Sequence, residues 1–215
     1  MSTTLRFESA PSGMLRCVGT VIWNETTKSA VLIDPTDDPS TFTDILRDRG
    51  LALKMILLTH GHVDHVGGTC SVAREFKLMP KMHPNDRELF QDAPSWGRSF
   101  GLDLDPQDLV PDELKDGETI EIEDGFCLKV IHTPGHTPGQ VGFYSKELGL
   151  VVVGDTLFFG SVGRTDLPGG SQEQLVQSIQ TRLYALPDDT IVIPGHGSRT
   201  TIGREKRENP YVKAR

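Results

Sequence analysis

The chain has 215 residues, 36% hydrophobic and 24% charged, which suits a soluble globular protein with one well-buried domain or two halves sharing a core. Its formal net charge of −8 argues against a nucleic-acid partner, because a phosphate backbone calls for clustered lysine and arginine. No apolar run approaches membrane-spanning length, and Cys17, Cys70 and Cys127 fall outside any CxxC spacing, so neither a membrane partner nor a cysteine zinc site is expected.

The first residues show no basic stretch followed by an apolar core, so a secretory signal is not expected and a cytoplasmic location is. Each cysteine reads as a small buried hydrophobe. Strands are expected over residues 4–8, 17–23 and 29–34, with a hairpin turn at 24–27. Ser40 is placed as the N-cap of a helix ending near Gly50, with Phe42, Ile45 and Leu46 on its apolar face. A buried strand at 55–58 follows, then a polar loop, a helix over 67–76 and a short strand at 78–82. Pro84 opens a helix expected to run through Phe90. Residues 92–116 carry Pro94, Gly97, Gly101, Pro106 and Pro111 in an acidic setting with Trp96 and Phe100. That segment is too long for an ordinary connector and reads as a seam between halves and a loop shaping a cleft.

Strands are expected again at 119–122, 126–132, 140–144 and 150–153. Ser171-Gln-Glu-Gln174 is a capping-box pattern that opens a helix with Leu175, Ile179 and Leu183 on one face. A strand at 190–193 precedes a polar, basic tail. Strands followed by helices in each half imply two packed sheets with helices outside, a four-layer α/β/β/α sandwich in a single domain spanning 1–215.

The chemistry concentrates in Thr59-His60-Gly-His62-Val-Asp64-His65, directly behind the 55–58 strand. Three histidines and an aspartate this close would cost several kcal/mol if buried unpaired. In an extended loop His60 and His62 project to one side while Asp64 and His65 turn to another, which suits two neighbouring cations. Three further strands each end in a glycine-containing turn with one more donor: His136 in Thr133-Pro-Gly-His-Thr-Pro-Gly139, Asp155 in Val153-Gly-Asp-Thr156, and His196 in Ile193-Pro-Gly-His-Gly197. A rigid strand feeding a tight loop is how scaffolds position ligands. His83 and His132 lie outside this set and read as ordinary hydrogen-bonded histidines, His132 sharing a strand face with Val130 and Leu128.

This ordered set resembles the metallo-β-lactamase-fold superfamily along the whole chain. Gly163-Arg-Thr-Asp-Leu-Pro-Gly-Gly170 and the ending from Pro194 to Pro210 are similar to the glyoxalase II-related branch, which includes hydroxyacylglutathione hydrolases and iron-dependent persulfide dioxygenases. The resemblance implies a dinuclear centre. His60, His62 and His136 would hold one divalent metal, Asp64, His65 and His196 the second, and Asp155 would bridge them. Imidazole and carboxylate donors without thiolate suit zinc, iron or manganese alike, and zinc is the ion expected. The chain departs from the longer glyoxalase II enzymes: it ends before their extra helical region, and Arg164 and Asp166 stand where they carry Lys and Tyr. Arg164 either binds a substrate carboxylate or ties the loop down through Asp166.

The activity implied is hydrolysis of a small anionic thioester, of the S-2-hydroxyacylglutathione type. A hydroxide shared by two metals would attack the carbonyl, with the catalytic carboxylates Asp64 and Asp155 in attendance. A thiolate, whose acid has a pKa of about 8.5, leaves without a strong general acid, which favours a thioester over an amide. A β-lactamase is disfavoured because Asp155 stands where such enzymes typically carry cysteine, and a nuclease is disfavoured by the charge. The alternatives are a lactonase of the same fold and a mononuclear iron persulfide dioxygenase built on His60, His136 and Asp155. A closed structural metal site ranks below all of these.

Overall fold

A computed structural model describes residues 5–214. The expected first strand began at Thr4, which lies outside the described residues. The described residues form two six-stranded sheets and one small two-stranded sheet. The first sheet runs β1 (Leu5–Ser12), β2 (Cys17–Asn24), β3 (Ser29–Ile33), β4 (Ala52–Leu57), β5 (Pro80–Met82) and β6 (Asp112–Glu113), in sequence order. β1 to β3 are antiparallel, and β3 to β6 are parallel. Helices α1 (Ser40–Asp48), α2 (Val63–Val66), α3 (Thr69–Phe76) and α4 (Arg87–Ser99) lie within its connections. The second sheet uses β7 (Thr119–Glu123), β8 (Phe126–His132), β9 (Val141–Ser145), β10 (Leu150–Gly154), β13 (Ile191–Pro194) and β14 (Thr200–Thr201), in the spatial order β14-β13-β10-β9-β8-β7. β11 (Leu157–Phe158) and β12 (Ser161–Val162) form the small sheet, and α5 (Gln172–Ser178) and α6 (Ile202–Glu208) complete the chain.

Alternation along the strands divides the core into three. Ile22, Val31, Ile33, Leu57, Leu128, Val130, Phe143 and Val152 pack between the two sheets. Their neighbours on β2 and β3, Val21, Trp23, Ala30 and Leu32, face the other way and meet Phe42, Leu46, Val72 and Phe90 from the helices. On β10, Val151 and Val153 turn from the central layer toward Leu175, Ile179 and Ile202. This is the expected α/β/β/α sandwich. β3 is buried along its whole length, as suits a strand with a layer on each face.

Three local readings are corrected. Pro39, not Ser40, occupies the N-cap of α1, and the Asp38 carboxylate accepts from the Ser40 amide at 3.1 Å. The helix expected to stop at Phe90 continues to Ser99 with Pro94 inside it. Buried Phe90 and Ala93 and the close approach of Gly97 to Leu104 show tertiary packing overriding the breakers. The polar tail contains α6, whose N-cap Thr201 accepts from the Arg204 amide through its hydroxyl. Ser171 caps α5 as its pattern implied, accepting from the Gln174 amide at 3.3 Å. The helix then loosens into a π-helical turn over Ile179–Leu183. Among the described residues no helix is long and apolar enough to cross a membrane.

Candidate metal centre

β8, β10 and β13 present their carboxyl ends at one rim, because β10 and β13 are parallel and β8 and β10 are each antiparallel to β9, and the end of β4 in the other sheet meets that rim where the Val141 amide donates to the Thr59 carbonyl at 2.8 Å. His60, His136, Asp155 and His196 follow these strands within a few residues, so the sheets alone bring them together. His62 is the N-cap of α2, in extended conformation, and the helical turn beyond it carries Asp64 and His65. The expected extended loop is thus a one-turn helix, which brings the His65 ring to 4.0 Å from that of His60 and Asp64 Oδ2 to 3.0 Å from His196 Nε2.

All seven predicted residues converge. His62 Nδ1 lies 3.2 Å from His60 Nε2 and 2.9 Å from His136 Nε2, and the three donors form one potential metal group. His65 Nε2 is 3.4 Å from Asp155 Oδ1 and 3.7 Å from Asp64 Oδ2. His196 Nε2 is 3.0 Å from Asp64 Oδ2 and 3.7 Å from Asp155 Oδ2, and His136 Nε2 is 3.6 Å from the same Asp155 oxygen. Asp155 therefore lies within reach of the three-histidine group, through His136, and of His65 and His196. Gly195 makes this possible, since a Cβ there would strike Asp155 Oδ1 and His65.

Hydrogen bonds behind the histidines fix their tautomers. Thr59 Oγ1 donates its single proton to Asp34 Oδ2 at 2.7 Å, so its contact with His60 Nδ1 at 3.1 Å requires the ring to donate. His65 Nδ1 donates to Asp34 Oδ2 at 2.9 Å, and His136 Nδ1 donates to the Arg164 carbonyl at 2.8 Å. In neutral form all three rings then offer bare Nε2 lone pairs to the centre, the arrangement ligating histidines adopt.

The electrostatics divide in the same way. Burial, reinforced by neighbouring imidazoles, pushes His60 well below the usual histidine range and His62 down to about 4, which keeps both in ligand form. His65 is driven the other way: burial opposes its charge, but Cys17 and the carboxylates of Asp64, Asp155 and Asp34 outweigh it. Asp155 is held below the ordinary carboxylate range by His65, His136 and His196 despite its burial. Among the described residues His65 Nε2 and Asp155 Oδ1 are buried without a hydrogen-bond partner. The site between them is one where positive charge is favoured, as the upward drive on His65 shows, and a cation there in place of the imidazolium proton would meet the Nε2 lone pair of neutral His65 and Asp155 Oδ1 together, so these residues fit a bound cation.

Arg164 answers one open expectation. Its guanidinium makes a bidentate pair with Asp166, both contacts 2.7 Å, on the exposed rim of the cleft. What serves the centre is its carbonyl, through His136. His83 and His132 stack at 4.2 Å and 7°, and His132 Nε2 donates to the Pro138 carbonyl of the loop carrying His136.

Three contributors escaped the sequence reading. Asp34 orients His60 and His65, yet in sequence it reads only as the end of a strand before proline. Asp86, fully buried, accepts from the Gly61 amide (3.1 Å), the Thr137 hydroxyl (2.7 Å) and the Gly139 amide (2.6 Å), and so joins two ligand loops. Cys17, expected to be a passive hydrophobe, places its sulfur with Asp64 and His65 in a third potential group, although burial pushes its thiol far up. No motif marks any of them; their partners lie 25 to 53 residues away.

A family model described as the metallo-beta-lactamase superfamily matches residues 14–196. Hydroxyacylglutathione hydrolase GloC of Haemophilus influenzae is 41% identical over 199 residues, covering 91% of this chain and 92% of that one. Among solved structures, the B3 metallo-beta-lactamase BLEG-1 superposes with a TM-score of 0.89 at 35% identity, covering 96% and 99% of the two chains. TTHA1623 in a di-iron-bound form gives 0.87 at 39% identity, covering 95% and 100%. ETHE1 from Myxococcus xanthus gives 0.80 at 25% identity, covering 95% and 83%. With the sandwich, the rim and the His/Asp groups all in place, the chain belongs to the metallo-beta-lactamase superfamily.

Proposed function

We propose that this protein is a cytoplasmic hydrolase of small thioesters, of the S-2-hydroxyacylglutathione type, working with two divalent metals, zinc foremost. The observation that carries this reading is the three-histidine group with Asp64, His65, Asp155 and His196 clustered beside it at the wall of one cleft. His60, His62 and His136 would hold one ion, Asp64, His65 and His196 the other, and Asp155 would contact both. The likeness to GloC supports the thioester. When bound, such ions polarise a carbonyl and lower the pKa of water.

The remaining work falls to the chain. Asp64 stays ionised, because His65 and the hydrogen bond from His196 outweigh its burial, and so it can accept a proton from an attacking water. Asp34, Thr59 and the Arg164 carbonyl hold three imidazoles in the tautomer that leaves Nε2 free. The thiolate departs unaided by an acid.

A mononuclear iron dioxygenase on His60, His136 and Asp155 is the rival, favoured by the likeness to ETHE1, but it leaves Asp64, His65 and His196 without a task. S-lactoylglutathione should be hydrolysed equally in air and under argon by the zinc-loaded protein, and Asp155→Ala should abolish both activity and metal retention. Activity confined to the iron form, with oxygen consumed on a persulfide, would overturn the hydrolase reading.

A further inference from the structure

The cleft beside the metal centre encloses about 510 Å³. One wall is the ligand cluster. The rest of the lining is largely apolar: Leu89, Ala93, Trp96 and Phe100 along α4 and just beyond it, together with Phe158 and Leu167. Phe158 stands edge-on to His196, its ring centroid 6.4 Å away, so the apolar wall runs directly into the donor set. Trp96 and Phe100 remain 41% and 48% exposed, with aromatic surface turned to solvent. Apart from metal-centre histidines, Arg164 is the one basic residue among the described lining residues, and Asp166 already occupies it.

Resting on the thioesterase reading, we propose that the preferred substrate carries a hydrophobic acyl group, a linear chain or an aryl ring, which lies along the α4 wall while the thioester carbonyl reaches the metal centre. A short hydroxyacyl group would leave most of that wall wet. A thioester with a longer apolar acyl arm would cover Trp96 and Phe100 and remove their surface from water. Any carboxylates on the thiol carrier would extend past the mouth into solvent, because the cleft offers them no unpaired cation. The occupant is tied to the reacting molecule, since the cavity is continuous with the donor atoms.

The test pairs a binding series with a hydrolysis series on the metal-loaded protein. The sequence has two tryptophans; Trp23 is buried, so a ligand-dependent emission change reports Trp96. S-methyl-, S-butyl- and S-hexylglutathione are uncleavable probes for Kd, and S-acetyl-, S-butyryl-, S-hexanoyl- and S-benzoylglutathione report kcat/KM. Each added methylene should tighten Kd and raise kcat/KM by about fourfold until the wall is filled, the equivalent of about 0.8 kcal/mol. Trp96→Ala should cost the hexanoyl ester about tenfold more than the acetyl ester. Hydrolysis of every ester with no dependence of Kd or kcat/KM on chain length overturns the proposal and leaves the hydrolase reading standing. Cleavage of none, with Kd still tightening, overturns the hydrolase reading and leaves the apolar preference of the cleft standing.

Discussion

The guanidinium of Arg164 illustrates how one side chain can belong to the rim while its backbone belongs to the centre. Its carbonyl accepts from His136, whereas its charge is neutralised by Asp166, which it pulls down to about 2. The side chain can therefore be altered without moving the carbonyl. Asp166→Asn should free the guanidinium and lower KM for a carboxylate-bearing thioester by about two- to fivefold, the span of an exposed ion pair, with kcat unchanged. A neutral thioester should show no such change in steady-state kinetics; an equal shift for both would mean that the arginine never meets substrate. At this scale the convergence of the seven residues was legible, because His60, His136, Asp155 and His196 each follow an apolar strand in a glycine- or proline-containing turn, and His62, Asp64 and His65 come directly behind the first of them. Asp34 and Asp86 were not, since a lone aspartate acquires its meaning only from the strands that fold over it.

Among elements, the strand ends proved easier to read than the helices. The expected strand over 126–132 matches β8 residue for residue, because alternation there is bounded by turns. α4 was cut short because Pro94 and Gly97 look like breakers until their burial is known. Its beginning matters to the centre: Asp86, immediately ahead of α4, clamps the Gly61 and Gly139 backbones. Asp86→Asn would replace one accepting oxygen by an NH2 that faces either the Gly139 amide or the Gly61 amide and Thr137 hydroxyl, disturbing a loop that carries His60 and His62 or one that carries His136. Metal affinity at the three-histidine group should fall 10- to 100-fold, the usual effect of removing an outer partner. Competition titration against a chelator measures it. Unaltered affinity with a lower melting temperature would restrict Asp86 to holding the fold.

For the molecule as a whole, the centre joins the two sheets at their common rim. His62 meets His136 across 74 residues of sequence, and Asp64 meets His196 across 132. Elemental analysis after anaerobic purification should approach two metals per chain. Chelation should lower the melting temperature by about 5–10 °C, given about 2.7 kcal/mol from ligand at a hundred times its Kd and 2–4 °C per kcal/mol for a chain of this size. A melting temperature indifferent to chelator would mean that the ions do not brace the sheets. These separations also bear on how the protein comes to exist. Closing chain segments this long is entropically costly and slow, and the three-histidine group is complete only when His136 of the second half meets His60 and His62 of the first. Cation capture by the three histidines is therefore expected late in folding, and the appearance of metal-centre spectra after dilution from denaturant, with cobalt as the ion, would time the docking of one half of the chain onto the other.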